Sequence, residues 1–218
     1  MRTFDEIHAL SAARHGGAEA LEAKLMKPDP DITDLPEDRW LSTMAKCIFQ
    51  AGFNWKVIEN KWDGFETAFD GFDTGRCAFM DDEKFDQLLQ DTRIVRNGTK
   101  IAAVRDNAAF LLELRGEGGA GRVLGGWPSS DYIGLLEMLK KRGSRLGGST
   151  AQYAMRFAGR DAFILSRDVT ARLIAEGVID KPATSKTAMK AVQAAFNEWM
   201  AQSGRSLSEI SRVLAFSC

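Results

Sequence analysis

The sequence is short of the residues from which metal sites and disulfide frameworks are built. Its 218 residues hold three cysteines, Cys47, Cys77 and Cys218, and two histidines, His8 and His15. The cysteines have neither paired nor metal-type spacing, so a disulfide scaffold is not expected, no metal is expected, and a reducing cytoplasm is the natural compartment. No apolar run approaches the roughly eighteen residues of a membrane-spanning helix, and no charged-then-apolar leader opens the chain, so a membrane partner is not expected either. Strand signals are nearly absent, as are fixed-period repeats and low-complexity tracts. Charge of one sign is also missing: the formal net charge is −1, which argues against a general polycation.

What is present is an uneven distribution of that charge. Residues 1–92 carry 10 Lys and Arg against 19 Asp and Glu, whereas residues 93–172 carry 14 against 7. Eight of those cations fall between Lys140 and Arg172 (Lys140, Lys141, Arg142, Arg145, Arg156, Arg160, Arg167 and Arg172), with only Asp161 and Asp168 to oppose them. A local basic surface suits a polyanion such as nucleic acid. It is equally the composition of a solvated, charge-speckled face.

Helix signals fill the rest. The stretch "PEDRWLSTMAKCIFQAG" places Pro36 in a first-turn position, repeats apolar residues at Trp40, Leu41, Met44, Cys47 and Ile48, and stops at Gly52. Asn54, Asp63 and Asp81 are positioned to cap three short helices that follow. "TKIAAVRDNAAFLLEL" sets Ile101, Val104, Ala108, Leu111 and Leu112 on one face of a longer helix, ahead of a Gly-rich "RGEGGAGRVLGG" loop. A helix starting at Ser129 or Ser130 ends at Gly143, Ser149 is expected to cap the next one, and Asp168 the one after that. Two more helices follow, the last opened by a capping box from Ser206 to Glu209. The reading is an all-α, compact, bilobed helical bundle. Residues 1–30 read as an N-terminal helical extension and residues 31–218 as the main domain.

The stretch "LKKRGSRLGGSTAQYAMRFAG" brings the cations and a glycine turn together. A helix N-terminus after such a turn leaves backbone N–H groups unpaired where the helix dipole favours anions. Gly147 and Gly148 would let a phosphate approach Ser149 and Thr150 without a side chain between them, while Arg142 and Arg145 supply the field. The alternative is a helical hairpin that turns on glycine for packing alone.

Taken in order, "QAGFNWKVIENKW", "AFDGFD", "DTRIVRNGTKIAAVRDNA" and "LKKRGSRLGGSTAQYAMRFAG" resemble the DNA-3-methyladenine glycosylase I family, across roughly residues 38–165. That family belongs to the helix-hairpin-helix DNA glycosylases, with the hairpin here over residues 142–149. The resemblance implies a monofunctional DNA glycosylase that hydrolyses the N-glycosidic bond of alkylated purines after flipping the nucleotide out of damaged double-stranded DNA. It also implies base excision repair, a monomer, no cofactor, and activity on the bacterial nucleoid in the cytoplasm. Trp55 matches the family's pocket-side tryptophan, and Phe49 and Gln50 would border the same pocket. Core packing at a helix start is the alternative for Trp55. Arg96, Asn97 and Lys100 resemble a family segment that approaches DNA.

Four features depart from the family or superfamily pattern or leave its register open. Cys47 stands where the family has a base-contacting Glu, which removes a carboxylate suited to a cationic purine. The family's Cys and His zinc ligands have no counterparts. Thr150 replaces the Lys of bifunctional lyases, so no Schiff-base amine is available there. Asp168 falls near the superfamily's catalytic Asp, with Ser166 an equally reasonable alignment and a helix N-cap the structural alternative. Trp55 and Asp168 are thus the candidate catalytic residues, and Cys47, Phe49, Gln50 and Trp55 the candidate base pocket. A non-catalytic helix-hairpin-helix DNA-binding protein, a glycosylase for a different adduct and a helical interaction scaffold remain the competing readings.

Overall fold

The computed structural model of the chain describes residues 1–218, and its regular elements are all helical. In chain order they are α1 (Phe4–Arg14), α2 (Ala18–Glu22), α3 (Glu37–Gln50), α4 (Trp55–Asn60), α5 (Trp62–Ala68), α6 (Thr74–Ala78), α7 (Asp82–Gln90), α8 (Gly98–Leu114), α9 (Tyr132–Arg142), α10 (Ser149–Phe157), α11 (Arg167–Ala175), α12 (Lys186–Ser203) and α13 (Leu207–Phe216). They pack as two units, one of residues 31–127 with 135–158, the other of residues 1–30 with 128–134 and 159–218. The sequence reading drew its division after residue 30 alone; the packing instead groups residues 1–30 with the helices that follow Gly159.

In the first unit, α3 packs on α8 and α10, and α6 packs on α8. Trp40, Leu41, Met44, Cys47 and Ile48 are all buried, so the apolar stripe of α3 is its core face. The stripe of α8 is broader than expected. Ala103, Phe110 and Leu114 join Ile101, Val104, Ala108 and Leu111 in the core, while Leu112 is only half-buried. Trp62, Phe65, Phe69 and Phe72 stack in succession, with Trp62 and Phe72 centroids 5.4 Å apart and Phe69 and Phe72 5.3 Å apart.

That stack depends on an unusual turn, because Asp70, Gly71 and Phe72 all have positive φ (53°, 68° and 59°). A non-glycine residue in this region is strained by about 1–2 kcal/mol. Three contacts hold the turn: Phe72 sits in the stack, Lys84 reaches the Asp70 carboxylate at 3.3 Å, and Arg39 donates to the Gly71 carbonyl at 2.8 Å. Arg39 also forms a two-pronged pair with Glu66, both bonds 3.0 Å. Glu66 accepts further bonds from Ser42 and Trp62 as well. Burial alone would raise the Glu66 pKa, but the Arg39 and Ser42 bonds outweigh it and hold the carboxyl below its usual range.

In the second unit, α1 packs on α12 and α13, and α11 packs on α13. Arg2 donates to the Glu176 carboxylate at 2.7 Å, Arg172 reaches the same carboxylate, and Arg172 also binds the Ser217 hydroxyl and carbonyl. Trp199 donates its indole N–H to the Arg2 carbonyl, and Ser11 donates to the Val213 carbonyl at 2.7 Å. The irregular segment after Gly159 is fixed by serines of α13: the Ala162 and Ile164 N–H groups donate to the hydroxyls of Ser208 and Ser211.

Several local expectations need correction. Pro36 is the N-cap of α3, just outside the helix. Asp63 lies inside α5, which begins at Trp62. The Gly-rich stretch after α8 is not an open loop. It forms tight helical turns in which a Cβ on Gly121 would collide with the Thr33 carbonyl, so glycine is required by close backbone approach. Gly148, not Ser149, is the N-cap of α10, and Ser166, not Asp168, caps α11 through a bond from the Val169 N–H. Asn54, Asp81 and the Ser206–Glu209 capping box hold their expected positions.

The Glu66 network gives a pH signature. A carboxyl whose folded pKa is depressed contributes stability above its unfolded pKa, near 4.3, and loses it as pH falls through the lower folded value. In urea unfolding at neutral pH, Glu66→Gln should be about 1.5–3 kcal/mol less stable than the native sequence. That gap should close as the pH is lowered below about 4.

Candidate functional site

The last turn of α3, the loop after it and the start of α10 enclose a cavity of about 210 Å³. α3 contributes Cys47 and Gln50, the loop and α4 contribute Phe53 and Trp55, and α10 contributes Ser149, Thr150 and Tyr153. The volume is below the roughly 300–1,000 Å³ of drug-sized ligand pockets, so it suits one small aromatic group. Cys47 and Gln50 come from one face because i and i+3 are neighbours on a helix. Trp55 is the first residue of α4, held there by the Asn54 cap, which accepts from the Lys56 N–H at 3.0 Å.

Trp55 remains 38% exposed, which separates it from the fully buried Trp40 and Trp199. Its ring meets Tyr153 edge-on at 5.1 Å and Phe157 edge-on at 6.0 Å. Tyr153 is therefore a wall of the cavity. Phe49, expected in the pocket, is fully buried against Phe65 with centroids 4.6 Å apart, and it does not line the cavity. The helical period explains this, since Phe49 lies between Cys47 and Gln50 in sequence but on another face of α3. Cys47 is buried, and desolvation pushes its thiol up to about 12, so it stays neutral near pH 7.

Lys100 is a further correction. It was expected to contact DNA, but it is 4% exposed, and its Nζ donates to the carbonyls of Phe49 at 3.0 Å and Ala51 at 2.6 Å. The ammonium also lies 4.4 Å from the Phe53 ring centroid. These are carbonyls at the C-terminal end of α3, where helix geometry leaves acceptors unpaired and the dipole favours a cation. Burial, with Arg145 adding repulsion, pulls the Lys100 pKa below the ordinary lysine value. Lys100 therefore shapes the loop that carries Phe53 and Trp55.

The turn between α9 and α10 is organised by a residue the sequence reading did not single out. Asn107 is fully buried in α8, donates to the Ser144 carbonyl at 2.9 Å and accepts from the Ser144 N–H at 2.8 Å. An asparagine inside an apolar helical pattern was the only available signal. Past Ser144, Gly148 has φ of 56°, and an added Cβ would meet nothing within 4 Å, so the approach to the α10 N-terminus is open. No side chain caps that terminus.

The basic cluster is thinner than its sequence count. Arg156, Arg160 and Arg172 are buried, and Arg142 is held by Glu117 at 2.7 Å and Glu113 at 3.6 Å while covering Phe110. Exposed cations beside the turn are Lys140, Lys141 and Arg145; Arg96 is exposed ahead of α8. Arg93 is paired with Asp91 at 2.7 Å. Asp168 belongs to the other unit, exposed in the first turn of α11. No three His, Cys, Asp or Glu side chains converge on a point that could hold a metal ion. His8 bonds Glu22 and His15 packs on Phe216, so the residues present do not fit the zinc site that the family resemblance raises.

Residues 37–123 match the methyladenine glycosylase family. Among solved structures, a 3-methyladenine DNA glycosylase I is 25% identical, with TM-score 0.50 over 65% of this chain and 87% of that one. A single-substitution variant of 3-methyladenine DNA glycosylase I in complex with 3-methyladenine is 20% identical, with TM-score 0.54 over 68% of this chain and 89% of that one. The enzyme from Staphylococcus aureus, solved for its recognition of 3-methyladenine, is 20% identical, with TM-score 0.50 over 69% and 91%.

The Lys100 assignment separates two kinds of cation. Lys100→Met should lower stability in urea unfolding by about 1.5–3 kcal/mol and leave the salt dependence of DNA binding unchanged. Arg145→Met should leave stability nearly unchanged and reduce the slope of log affinity against log salt by about one.

Proposed function

We propose that the chain, whose residues 37–123 match the methyladenine glycosylase family, is a monofunctional DNA glycosylase releasing N3-methylated adenine from damaged double-stranded DNA, acting as a monomer. The observation that carries this reading is the cavity between α3 and α10, walled by the exposed ring of Trp55 and the ring of Tyr153. A flipped base enters such a pocket by its flat faces, and damaged or mispaired bases cost least to extrude. A purine alkylated at N3 is cationic in DNA, and an aromatic face attracts a cation.

The chemistry then needs little acid. Cleavage of the bond from C1′ to the purine leaves its electron pair on the base, which departs neutral, while water adds to the sugar cation and gives up a proton. Asp168 is the proposed acceptor of that proton and the stabiliser of the sugar cation. Its alternative role as a helix cap belongs to Ser166, which supports a free carboxylate at this position. Thr150 offers no amine, and Lys100 is engaged with two carbonyls, which supports hydrolysis over a Schiff-base route.

On the other side of the same turn, the uncapped N-terminus of α10 and Gly148, with Lys140, Lys141 and Arg145 nearby, is the proposed phosphate seat. Helix α10 thus serves two ligand parts. Ser149 and Thr150 line the cavity, and their N–H groups are the proposed phosphate donors.

Incubation with methylated DNA should release free 3-methyladenine. Asp168→Asn should slow release by about a hundredfold or more, and Trp55→Ala by about tenfold to a hundredfold through lost stacking. Gly148→Asp should weaken DNA binding by placing a side chain and an anion in the phosphate seat. DNA binding without release of any base would exclude the hydrolase, and release unaffected by Asp168→Asn would remove that carboxylate from the mechanism.

A further inference from the structure

The cavity contains one buried polar group without a partner. Gln50 is 2% exposed and lines the cavity beside Cys47, and its Oε1 makes no hydrogen bond. A buried amide oxygen left unpaired is destabilising, and most such groups in folded proteins are satisfied. At the wall of a binding cavity, an unpaired oxygen marks a bond that the ligand completes.

The chemistry of the amide narrows that ligand. A glutamine presents one acceptor beside one donor. An adenine-type edge presents the complement, an exocyclic amine donor next to the N7 acceptor, and glutamine reads it with two bonds. A guanine-type edge presents O6 and N7, two acceptors, and would leave the Gln50 oxygen facing another oxygen. Rotating the amide by half a turn exchanges its ends without changing the count of one donor and one acceptor. The remaining polar side chains around the cavity do not share this selectivity. Ser149, Thr150 and Tyr153 carry hydroxyls that donate or accept as required, Cys47 is a weakly bonding thiol, and the Trp55 indole N–H is a lone donor whose acceptor, N7, is present on both purine edges.

We propose that Gln50 is the specificity-determining residue of this pocket, reading a donor–acceptor purine edge and thereby admitting 6-aminopurine adducts while rejecting 6-oxopurine adducts. The assignment rests on the cavity being the base pocket of the glycosylase proposed above.

The test is calorimetric titration of the full chain with free 3-methyladenine and free 3-methylguanine, on the native sequence, Gln50→Met and Gln50→Leu, with thermal unfolding of each. The native chain should favour 3-methyladenine by about tenfold or more. Both variants should bring the two affinities within about threefold, with a Tm equal to or above the native value, because an unpaired buried oxygen has been removed. Equal or undetectable binding of the two bases by the native chain would overturn the proposal. So would a preference that survives both substitutions, or a Tm that falls in both variants. Free-base binding requires no bond cleavage, so selective binding without base release from methylated DNA would uphold the role of Gln50 while excluding the hydrolase.

Discussion

The candidate site depends on one buried ammonium. Lys100 reaches from α8 to the end of α3 and donates to two carbonyls there, beneath the ring of Phe53. Burying a charge is unfavourable unless it is hydrogen-bonded, and helix C-termini are among the few apolar-flanked places that offer several unpaired acceptors at once. The exchange fixes where α3 stops. That in turn sets the path of residues 51–54, and with it the start of α4 and the aim of Trp55. A cation that reads in sequence as a surface contact is thus an internal strut whose effect on a ligand is wholly geometric.

The same partition applies to the other positive residues. Sequence counting treats every Arg and Lys as available field, yet burial and pairing consume Arg142, Arg156, Arg160 and Arg172. Each of these covers an aromatic ring, satisfies a carboxylate or is buried at a helix end. Of the cations between Lys140 and Arg172, those left in water are Lys140, Lys141 and Arg145 at the turn before α10, beside a helix N-terminus that no side chain caps, and Arg167 at the start of α11. The near-neutral sum and a local preference for anions are compatible, because the acidic excess lies earlier in the chain, in residues 1–92.

How far the sequence predicts this structure depends on the range of the interaction. Caps and periodicity act over three or four residues, and so the helical class, the α3 core stripe, the Asn54 and Asp81 caps and the last capping box were legible. Errors arise where a neighbour decides between two local options. Ser149 and Gly148 are both acceptable cap residues, and so are Ser166 and Asp168; the backbone chose one position earlier or two. Phe49 lies in the core and not in the pocket because an aromatic residue next to a pocket position gives no sign of which face it occupies. Lys100 was assigned to DNA and Asn107 was not assigned, since their partners lie 49 to 51 and 37 residues away. Cys47 and Gln50 were legible through the motif around them, whereas the unpaired Gln50 oxygen required coordinates.

The clasp of Arg2 with Glu176 and the packing of α1 on α12 and α13 have a consequence for biosynthesis. Residues 31–158 can close their own unit, apart from the short 128–134 segment, once they have left the ribosome. Residues 1–30 emerge first but have no complete partner until α11, α12 and α13 have been made. Phe4, Ile7 and Leu21, all buried in the finished fold, are therefore apolar surface that stays in water through most of translation. Chains emerge at about 5–20 residues per second, and exposed apolar segments are the ones that aggregate. The acidic side chains interspersed among them, Asp5, Glu6, Glu19 and Glu22, keep that waiting segment charged until its C-terminal partners arrive.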